Sequence, residues 1–282
     1  MRDLPAGPAS HSPTLPVLPV LPVLPVLHSH DARGVHTLQL SRPESFNVLG
    51  EDMLSALQQA LDAIAQDASA RAVVISAVGK AFCAGHNLKE MNAQPELAYY
   101  QTLFAQCTRM MLAIQNLPLP VIAKVQGLAT AAGCQLVAQC DLAVASDNAS
   151  FGVNGIDVGL FCATPSVPLS RNMLPKQAME MLLTGAFITA DEARVRGLVN
   201  RVVPLELLDA EVEKLLVAIL PKPREAIAMG KALFYQQRET GMRAAYQLAG
   251  QTMACNMMHA DAQEGVQAFI EKRKPEWPAS AV

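Results

Sequence analysis

Apolar side chains recur every three or four positions in two long segments of the N-terminal half of the chain. Residues 97–116 have this spacing and stop before Pro118 and Pro120. The other segment is residues 51–67, with its apolar positions at Met53, Leu54, Leu57, Leu61 and Ile64. Such spacing puts the apolar side chains on one face of a helix. Both segments are therefore predicted to be amphipathic helices that pack on a sheet.

Short apolar runs lie between and after these helices and are typical of strands. Residues 35–40 alternate between apolar and polar side chains, and continuous apolar runs favour strands that are covered on both faces. The predicted strands are residues 35–40, 72–77, 121–125 and 142–145. Residues 79–85 are interpreted as a loop and residues 130–139 as a further helix. The alternation from residue 34 to about residue 205 predicts a mixed sheet layered with helices.

Helices alone are predicted after Pro204. A capping box, Thr189 with Glu192, starts one helix just before this point. Four closely spaced helices follow at residues 205–220, 223–237, 242–258 and 260–272. Terminal helical modules of this kind often dock on a neighbouring subunit. We therefore expect oligomerisation.

The chain is divided into three parts by this pattern. Residues 1–30 are predicted to be a proline-rich flexible extension, because Leu-Pro-Val repeats four times in it and proline removes amide donors. Residues 31–204 are predicted to form the core, and residues 205–282 the C-terminal helical module.

The composition of the chain excludes several classes of partner. The chain has 282 residues, of which 51% are hydrophobic, and 22 basic residues stand against 25 acidic ones without a long run of one sign. No nucleic-acid partner and no membrane partner are expected, since neither a basic patch nor an uninterrupted apolar run of about 18 residues is present. The six cysteines form no CxxC pair, so we expect reduced thiols, no metal site and a cytoplasmic location.

Two segments carry a specific resemblance. Residues 81–91 read AFCAGHNLKEM, and about 40 positions further on residues 120–141 read PVIAKVQGLATAAGCQLVAQCD. In order and spacing they resemble the two signatures of the crotonase (enoyl-CoA hydratase/isomerase) superfamily, and the resemblance extends from Val35 through Lys274. It implies an α/β crotonase (ClpP-like) fold of repeated ββα units with a C-terminal helical oligomerisation module, assembled as a homotrimer or a dimer of trimers.

The resemblance also implies an acyl-CoA thioester as the partner, with coenzyme A as part of the substrate and no other cofactor. By position, the backbone amides of His86 and Ala132 would hold the thioester oxyanion, which needs two donors aimed at the developing charge. Small residues such as Gly85 and Gly133 would let the backbone come close. An alternative is that these residues only permit tight packing between helix and sheet.

Carried over by position, the coenzyme A contacts would come from three regions of the chain. They are Ser45, Phe46, Ala84, His86, Asn87, Leu88 and Lys272. The lysine would bind a phosphate, although terminal lysines are often only solvated. Glu44 and Asn87 depart from the family pattern, which usually has a basic residue and an aspartate at these positions.

Both glutamates that hydratases of this family use are replaced. Their positions are Gln135, which has no proton to exchange near neutral pH, and Gly155, which has no side chain. The aspartate of the related dienoyl isomerases corresponds to Ala163. Hydration by the usual route is therefore not expected.

Three hypotheses for the function remain open. The leading hypothesis is a lyase or isomerase acting on an acyl-CoA, and it includes decarboxylation, which forms an enolate without a carboxylate base. A non-catalytic acyl-CoA-binding oligomer is the second hypothesis. The third is a protease-like or hydrolytic enzyme with Cys162 as its nucleophile and His86 as its base, although Cys162 is more simply interpreted as a small buried residue.

Overall fold

Two sheets form the frame of the computed structural model, which describes residues 24–277. The larger sheet has six strands, and the smaller sheet has four. In spatial order, the larger contains β1 (Val26–His30), β2 (Val35–Leu40), β3 (Ala72–Ala77), β5 (Val121–Val125), β7 (Leu142–Ser146) and β10 (Arg201–Val203). The smaller contains β4 (Ala81–Cys83), β6 (Leu128–Thr130), β8 (Ser150–Gly152) and β9 (Ile188–Thr189). Only the pairs β1–β2 and β8–β9 are antiparallel in these sheets.

Helices connect and cover the strands. In chain order they are α1 (Glu51–Ala65), α2 (Leu88–Ala93), α3 (Leu97–Asn116), α4 (Ala132–Gln139), α5 (Ala163–Asn172), α6 (Pro175–Thr184), α7 (Ala190–Val195), α8 (Leu208–Ile219), α9 (Arg224–Gln237), α10 (Met242–Met257) and α11 (Ala260–Ile270). The two amphipathic helices predicted from periodicity are confirmed as α1 and α3. In α1, the buried side chains are the five that the spacing selected.

The central strands of the larger sheet are buried on both faces. Val73 packs into the main core with α1 and α3, whereas its neighbour Val74 packs on the opposite face with Leu215 and Leu216 of α8. This double burial explains why β3 is a continuous apolar run, because successive side chains of a strand point to opposite faces. The prediction of a mixed sheet layered with helices is confirmed.

The predicted capping box at the start of α7 is present. The amide of Glu192 donates to Thr189 Oγ1 at 3.2 Å, and the amide of Thr189 donates to Glu192 Oε2 at 2.8 Å. The two bonds satisfy backbone donors that the first turn of a helix leaves free.

The boundary placed at residue 30 lies too late in the chain. Residues 26–30 form β1, which pairs along its whole length with β2, and the amide of Ser41 donates to the carbonyl oxygen of Pro25 at 2.9 Å. Strand pairing begins as soon as the prolines end, because β1 can then donate its amides. Residues 1–23, which hold most of the Leu-Pro-Val repeat, lie outside the described residues.

Six strands were not predicted from the sequence: β1 and the short strands β4, β6, β8, β9 and β10. The predicted loop at 79–85 contains β4, and the predicted helix at 130–139 begins only at Ala132 because β6 occupies the preceding residues. Three-residue strands are too short to show a period, so β4 and β6 are recognised only by their pairing, β4 with β6 and β6 also with β8.

The C-terminal helices follow their predicted bounds closely, and α8 packs on the larger sheet. No residue of α9 or α10 is buried within the described chain. Helix α9 is held to the core by Lys231, whose Nζ donates to Asp141 Oδ2 at 2.7 Å and to the carbonyl oxygens of Ile114 and Leu119. Across residues 24–277, no helix has the length and apolarity that crossing a membrane requires.

Candidate active site

A cavity of about 380 Å³ opens where the end of β4 meets the start of α4. It is lined by Ala84, His86, Leu88, Met91, Phe104, Thr130, Ala131, Ala132, Asn154, Gly155, Val158, Leu160, Phe161, Cys162, Ala163, Thr164 and Pro165. Most of these side chains are apolar. Among the described residues on its wall there is no carboxylate, lysine or arginine, so the cavity is suited to an uncharged acyl group.

Two glycines allow β4 and α4 to come together at the cavity. A Cβ on Gly133 would lie 2.0 Å from the carbonyl oxygen of Cys83, and a Cβ on Gly85 would lie 3.3 Å from the amide nitrogen of Ala132. Gly85 also has φ +90°, a conformation that favours glycine. The chain that enters His86 therefore runs directly against the first turn of α4.

The amides of His86 and Ala132 are both free to bind a ligand. Neither donates to a protein acceptor within the described range. Ala132 is the first residue of α4, where the N–H has no partner inside the helix and the helix dipole is positive. The preceding Ala131 has φ +50°, and its own amide donates to the carbonyl oxygen of Gly152 at 2.9 Å, which fixes the turn into the helix.

The imidazole of His86 is held by one hydrogen bond and one ring contact. Nδ1 donates to the carbonyl oxygen of Leu49, with the atoms 3.2 Å apart, and the ring meets Phe104 edge-on at 5.5 Å between centroids. Burial lowers the pKa of His86 below its ordinary value, since an apolar surrounding disfavours the charged ring. The ring is therefore neutral at physiological pH.

Gly155 and Cys162 are in direct contact. The amide of Gly155 donates to Cys162 Sγ at 3.3 Å, and the amide of Leu160 donates to the carbonyl oxygen of Gly155 at 2.9 Å. Burial raises the pKa of the Cys162 thiol, so the sulfur stays protonated. The Gly155 amide is the hydrogen-bond partner of this sulfur in the described structure, and no imidazole bonds to it, which provides no support for a Cys162–His86 pair.

Gln135 does not line the cavity. The residue is 4% exposed within α4, and Oε1 is buried without a hydrogen-bond partner among the described residues. The wall on this side is formed instead by residues 130–132. Of the predicted catalytic positions, the structure thus brings together His86, Ala132, Gly155 and Cys162.

The predicted coenzyme A contacts divide into three groups. Ala84 and Leu88 line the cavity beside His86. Phe46 lies next to it, since its carbonyl oxygen accepts from the amide of Ala84 at 3.0 Å and its side chain is 53% exposed. Ser45 belongs to the same turn, where its hydroxyl donates to the carbonyl oxygen of Arg42.

The other two predicted contacts have different surroundings. The side chain of Asn87 caps α2 by accepting from the amide of Lys89, and it also donates to Glu90 Oε1 at 2.7 Å. Lys272 follows α11 with φ +56°, is exposed and does not line the cavity. Its contact with a phosphate stays a prediction.

Sequence reasoning missed several residues of the cavity. Thr130 Oγ1 donates to Asn154 Oδ1 at 2.6 Å, which joins β6 to the turn that contains Gly155. Met91, Phe104 and Phe161 supply apolar walls from three separate segments. The only signal for Asn154 was its place directly before Gly155, and the apolar walls carried no signal beyond the periodicity of core residues.

A model of the enoyl-CoA hydratase/isomerase family matches residues 30–280. The chain belongs to the enoyl-CoA hydratase/isomerase family. This assignment confirms the resemblance to the crotonase superfamily and the fold that it implied.

Individual relatives agree with the family assignment. The chain is 46% identical over 244 residues to enoyl-CoA hydratase domain-containing protein 3, mitochondrial, of Mus musculus, which covers 86% of this chain and 81% of the relative. A crystal structure of an enoyl-CoA hydratase from Mycobacterium smegmatis is 61% identical, with a TM-score of 0.89, and covers 90% of this chain and 98% of that one. The crystal structure of human enoyl-CoA hydratase domain-containing protein 3 is 43% identical, with a TM-score of 0.86, and the match covers 90% of this chain and 100% of that chain.

Proposed function

We propose that the protein binds an acyl-CoA thioester and holds its carbonyl oxygen between the amides of His86 and Ala132. The observation that carries this proposal is the close approach of β4 and α4, which leaves both N–H groups free at one end of an apolar cavity. Backbone donors fixed in this way stabilise a developing oxyanion without reorganisation. The acyl group then occupies the cavity.

The reaction is not hydration by two glutamates. Gln135 is turned away from the cavity wall, and Gly155 offers only backbone. Adding water across a double bond needs groups that take and deliver protons. The described wall has no carboxylate, which favours two other functions. One is a lyase such as a decarboxylase, which forms an enolate by positioning alone. The other is a non-catalytic acyl-CoA-binding oligomer.

Two measurements test the proposed site. Calorimetric titration would compare butyryl-CoA with S-butyl-CoA, a thioether of the same length without a carbonyl group. Two hydrogen bonds to the carbonyl, at about 0.5–1.5 kcal/mol for each bond, should make the thioester bind about fivefold to hundredfold tighter. Equal affinity for the two ligands would contradict the oxyanion site, and failure of both to bind would contradict the acyl-CoA cavity.

Turnover of crotonyl-CoA would be followed in parallel. Hydration at ordinary enzyme rates, of about 1–1000 s⁻¹, would show that another group supplies the proton chemistry. Binding without hydration would agree with the loss of both glutamates. A panel of malonyl-type thioesters then separates a decarboxylase from a protein that only binds.

The assembly is proposed to be a trimer or a dimer of trimers. The C-terminal helices present large apolar side chains to solvent in the single chain: Met242 is 75% exposed, Met258 76% and Phe269 85%. Exposed apolar surface of this kind marks protein interfaces. Light scattering during size exclusion would report the mass, and a monomer would refute the proposal.

The compartment stays a prediction. Of the six cysteines, five are buried free thiols and Cys255 is exposed and free, which is compatible with a reducing compartment such as the cytoplasm. The mouse relative is named as mitochondrial. Imaging of the tagged full-length chain would decide between the two.

A further inference from the structure

Residues 42–47 form a turn between β2 and α1, and the last residue of this turn, Asn47, is 0% exposed. Phe46 and Asn47 have φ of +55° and +54°, in the left-handed region. Asparagine is among the few residues with a side chain that tolerate this region, whereas a bulky residue such as phenylalanine rarely adopts it. The turn therefore keeps this conformation because its surroundings hold it.

The side chain of Asn47 joins this turn to both ends of the loop between β3 and β4. Its Oδ1 accepts from the amide of Arg42 at 2.8 Å, which closes the turn. Its Nδ2 donates to the carbonyl oxygens of Val78 and Ala81, each at 2.9 Å. Val78 directly follows β3, and Ala81 is the first residue of β4. The carboxamide therefore fastens the turn to the start of β4.

Three properties of position 47 together favour an asparagine. The left-handed backbone favours glycine, asparagine or aspartate. Two carbonyl oxygens need donors there, which excludes glycine and an aspartate carboxylate, because the first has no side chain and the second only accepts. Burial also disfavours a charged group. One neutral side chain thus fixes the position of the turn relative to β4.

The segment that follows the turn determines the orientation of the peptide group between Gly85 and His86. The amide of Leu49 donates to the carbonyl oxygen of Gly85 at 2.7 Å, and Leu49 forms a parallel bridge with His86. The carbonyl oxygen of Phe46 accepts from the amide of Ala84 at 3.0 Å. A trans peptide has its C=O and N–H on opposite sides, and no peptide bond in the described chain is cis. The N–H of His86 therefore points away from Leu49.

We propose that Asn47 is a positioning residue, which sets the direction of the His86 amide through residues 46–49 and the carbonyl oxygen of Gly85. This inference rests on the proposed function, because that amide is one of the two proposed oxyanion donors. Such a donor is effective when its direction is fixed before the ligand binds. The other donor, Ala132, is the first residue of α4, and the side chain of Asn47 makes no bond to that helix. Loss of Asn47 should therefore weaken one of the two bonds to the ligand carbonyl.

The variant Asn47→Gly tests the proposal in the full chain with butyryl-CoA and S-butyl-CoA as ligands. Glycine adopts the left-handed backbone freely, so the variant removes the three side-chain bonds without straining the turn. The ratio of the two affinities, measured by calorimetric titration, should fall about twofold to tenfold, which is the contribution of one hydrogen bond. The affinity for S-butyl-CoA, which has no carbonyl group, should change little. A residue with a purely structural role would instead weaken the binding of both ligands equally.

Two further variants accompany Asn47→Gly. Asn47→Asp keeps the left-handed backbone and the acceptor for the Arg42 amide but loses both donors, so it should lower the ratio in the same way. Asn172→Ala is the matched control, because Asn172 Nδ2 also donates to two carbonyl oxygens, those of Ala138 at 2.8 Å and Pro168 at 2.9 Å. The control should lower the melting temperature and leave the ratio unchanged.

The outcomes separate this inference from the proposed function. A natural chain that binds the two ligands equally, or binds neither, refutes the proposed function and this inference with it. A natural chain that prefers butyryl-CoA, with folded Asn47 variants that keep the same ratio, overturns the role of Asn47 alone. An equal fall of the ratio in Asn172→Ala also overturns it.

Circular dichroism and thermal unfolding report whether the variants fold. If neither Asn47 variant folds, the residue supports the whole fold rather than the direction of one amide, and the proposal is overturned.

Discussion

The sulfur of Cys162 occupies the space that a side chain on Gly155 would need. A Cβ built on Gly155 would lie 2.8 Å from Cys162 Sγ and 2.5 Å from the carbonyl oxygen of Leu160. Both distances are far below van der Waals contact. Position 155, which the family resemblance matches to the second hydratase glutamate, therefore has no room for a side chain.

This contact predicts the effect of enlarging Gly155. Gly155→Ala should lower the free energy of unfolding by about 1–3 kcal/mol, as overpacking a closed site does. Gly155→Glu should be destabilised further and should not hydrate crotonyl-CoA. Urea denaturation and a hydration assay measure the two effects.

A double variant locates the source of the strain. Adding Cys162→Ala to Gly155→Ala removes the sulfur but leaves the carbonyl oxygen of Leu160 in place, so only part of the stability should return. Full recovery would show that the backbone at residue 160 moves freely. If Gly155→Ala alone left the stability unchanged, the whole turn would be shown to move freely.

The sequence predicts those features of the site that depend on the identity of a single residue. That Gln135 and Gly155 carry no carboxylate is visible in the sequence itself, and the family resemblance predicts that His86 and Ala132 share a site. The sequence does not show which atoms fill the space beside Gly155. The carbonyl oxygen of Leu160 lies there because of the conformation of the loop, which no local pattern predicts.

The role of the His86 ring was likewise hidden. Its hydrogen bond joins Nδ1 to the carbonyl oxygen of a residue 37 positions earlier in the chain. The absence of Gln135 from the wall could not be foreseen either, since it depends on how α4 is turned against its neighbours. Local sequence patterns predict the helices and strands, whereas hydrogen-bond and packing partners that are distant in sequence determine the chemistry of the site.

The close approach of β4 and α4 predicts a large effect at Gly133. Alanine is favoured over glycine by about 0.5–1 kcal/mol inside a helix. A Cβ at this position would nevertheless lie 2.0 Å from the carbonyl oxygen of Cys83, so the clash outweighs the propensity. Gly133→Ala should lower both the melting temperature and the affinity for butyryl-CoA, because separating α4 from β4 moves the amide of Ala132.

Gly230 provides the matched control for this helix substitution. It lies in α9, and a Cβ there would meet nothing within 4 Å in the single chain. Gly230→Ala should leave the melting temperature unchanged or raise it slightly. Equal effects of the two substitutions would contradict the close approach.

The buried ion pair between Asp141 and Lys231 should hold α9 to the core. The lysine side chain is 8% exposed and the aspartate 16%, and Tyr235 also donates to Asp141 Oδ1 at 2.8 Å. Asp141→Asn should lower the free energy of unfolding by about 3–5 kcal/mol, because it leaves a buried charge without its partner.

Two comparisons check this assignment. The double variant Asp141→Asn with Lys231→Met should recover part of the stability, since no charge then remains buried. Asp209→Asn breaks the pair of Lys124 with an aspartate whose side chain is 86% exposed, and it should cost less than about 1 kcal/mol. A similar loss in both aspartate variants would show that burial is not the cause.

Stability should fall as the solution is acidified from about pH 7.5 to about pH 5.5. Burial lowers the pKa of His36 and of His28, whose Nε2 lies 2.9 Å from His36 Nδ1, and Asp67 opposes the shift at His36 only in part. Below a pH of about 6.5 the unfolded chain takes up protons that the folded chain resists, so folding becomes less favourable. Burial of His86 acts in the same direction.

The variant His36→Gln isolates the contribution of this pair. It keeps a polar side chain at a position that is 3% exposed but cannot take up a proton. The melting temperature of the variant should therefore depend less on pH over this window than that of the natural chain, in which carboxylates with pKa values near 4 stay ionised and do not contribute. A natural chain that becomes more stable on acidification would show that Asp67, whose charge favours protonated His36, outweighs burial.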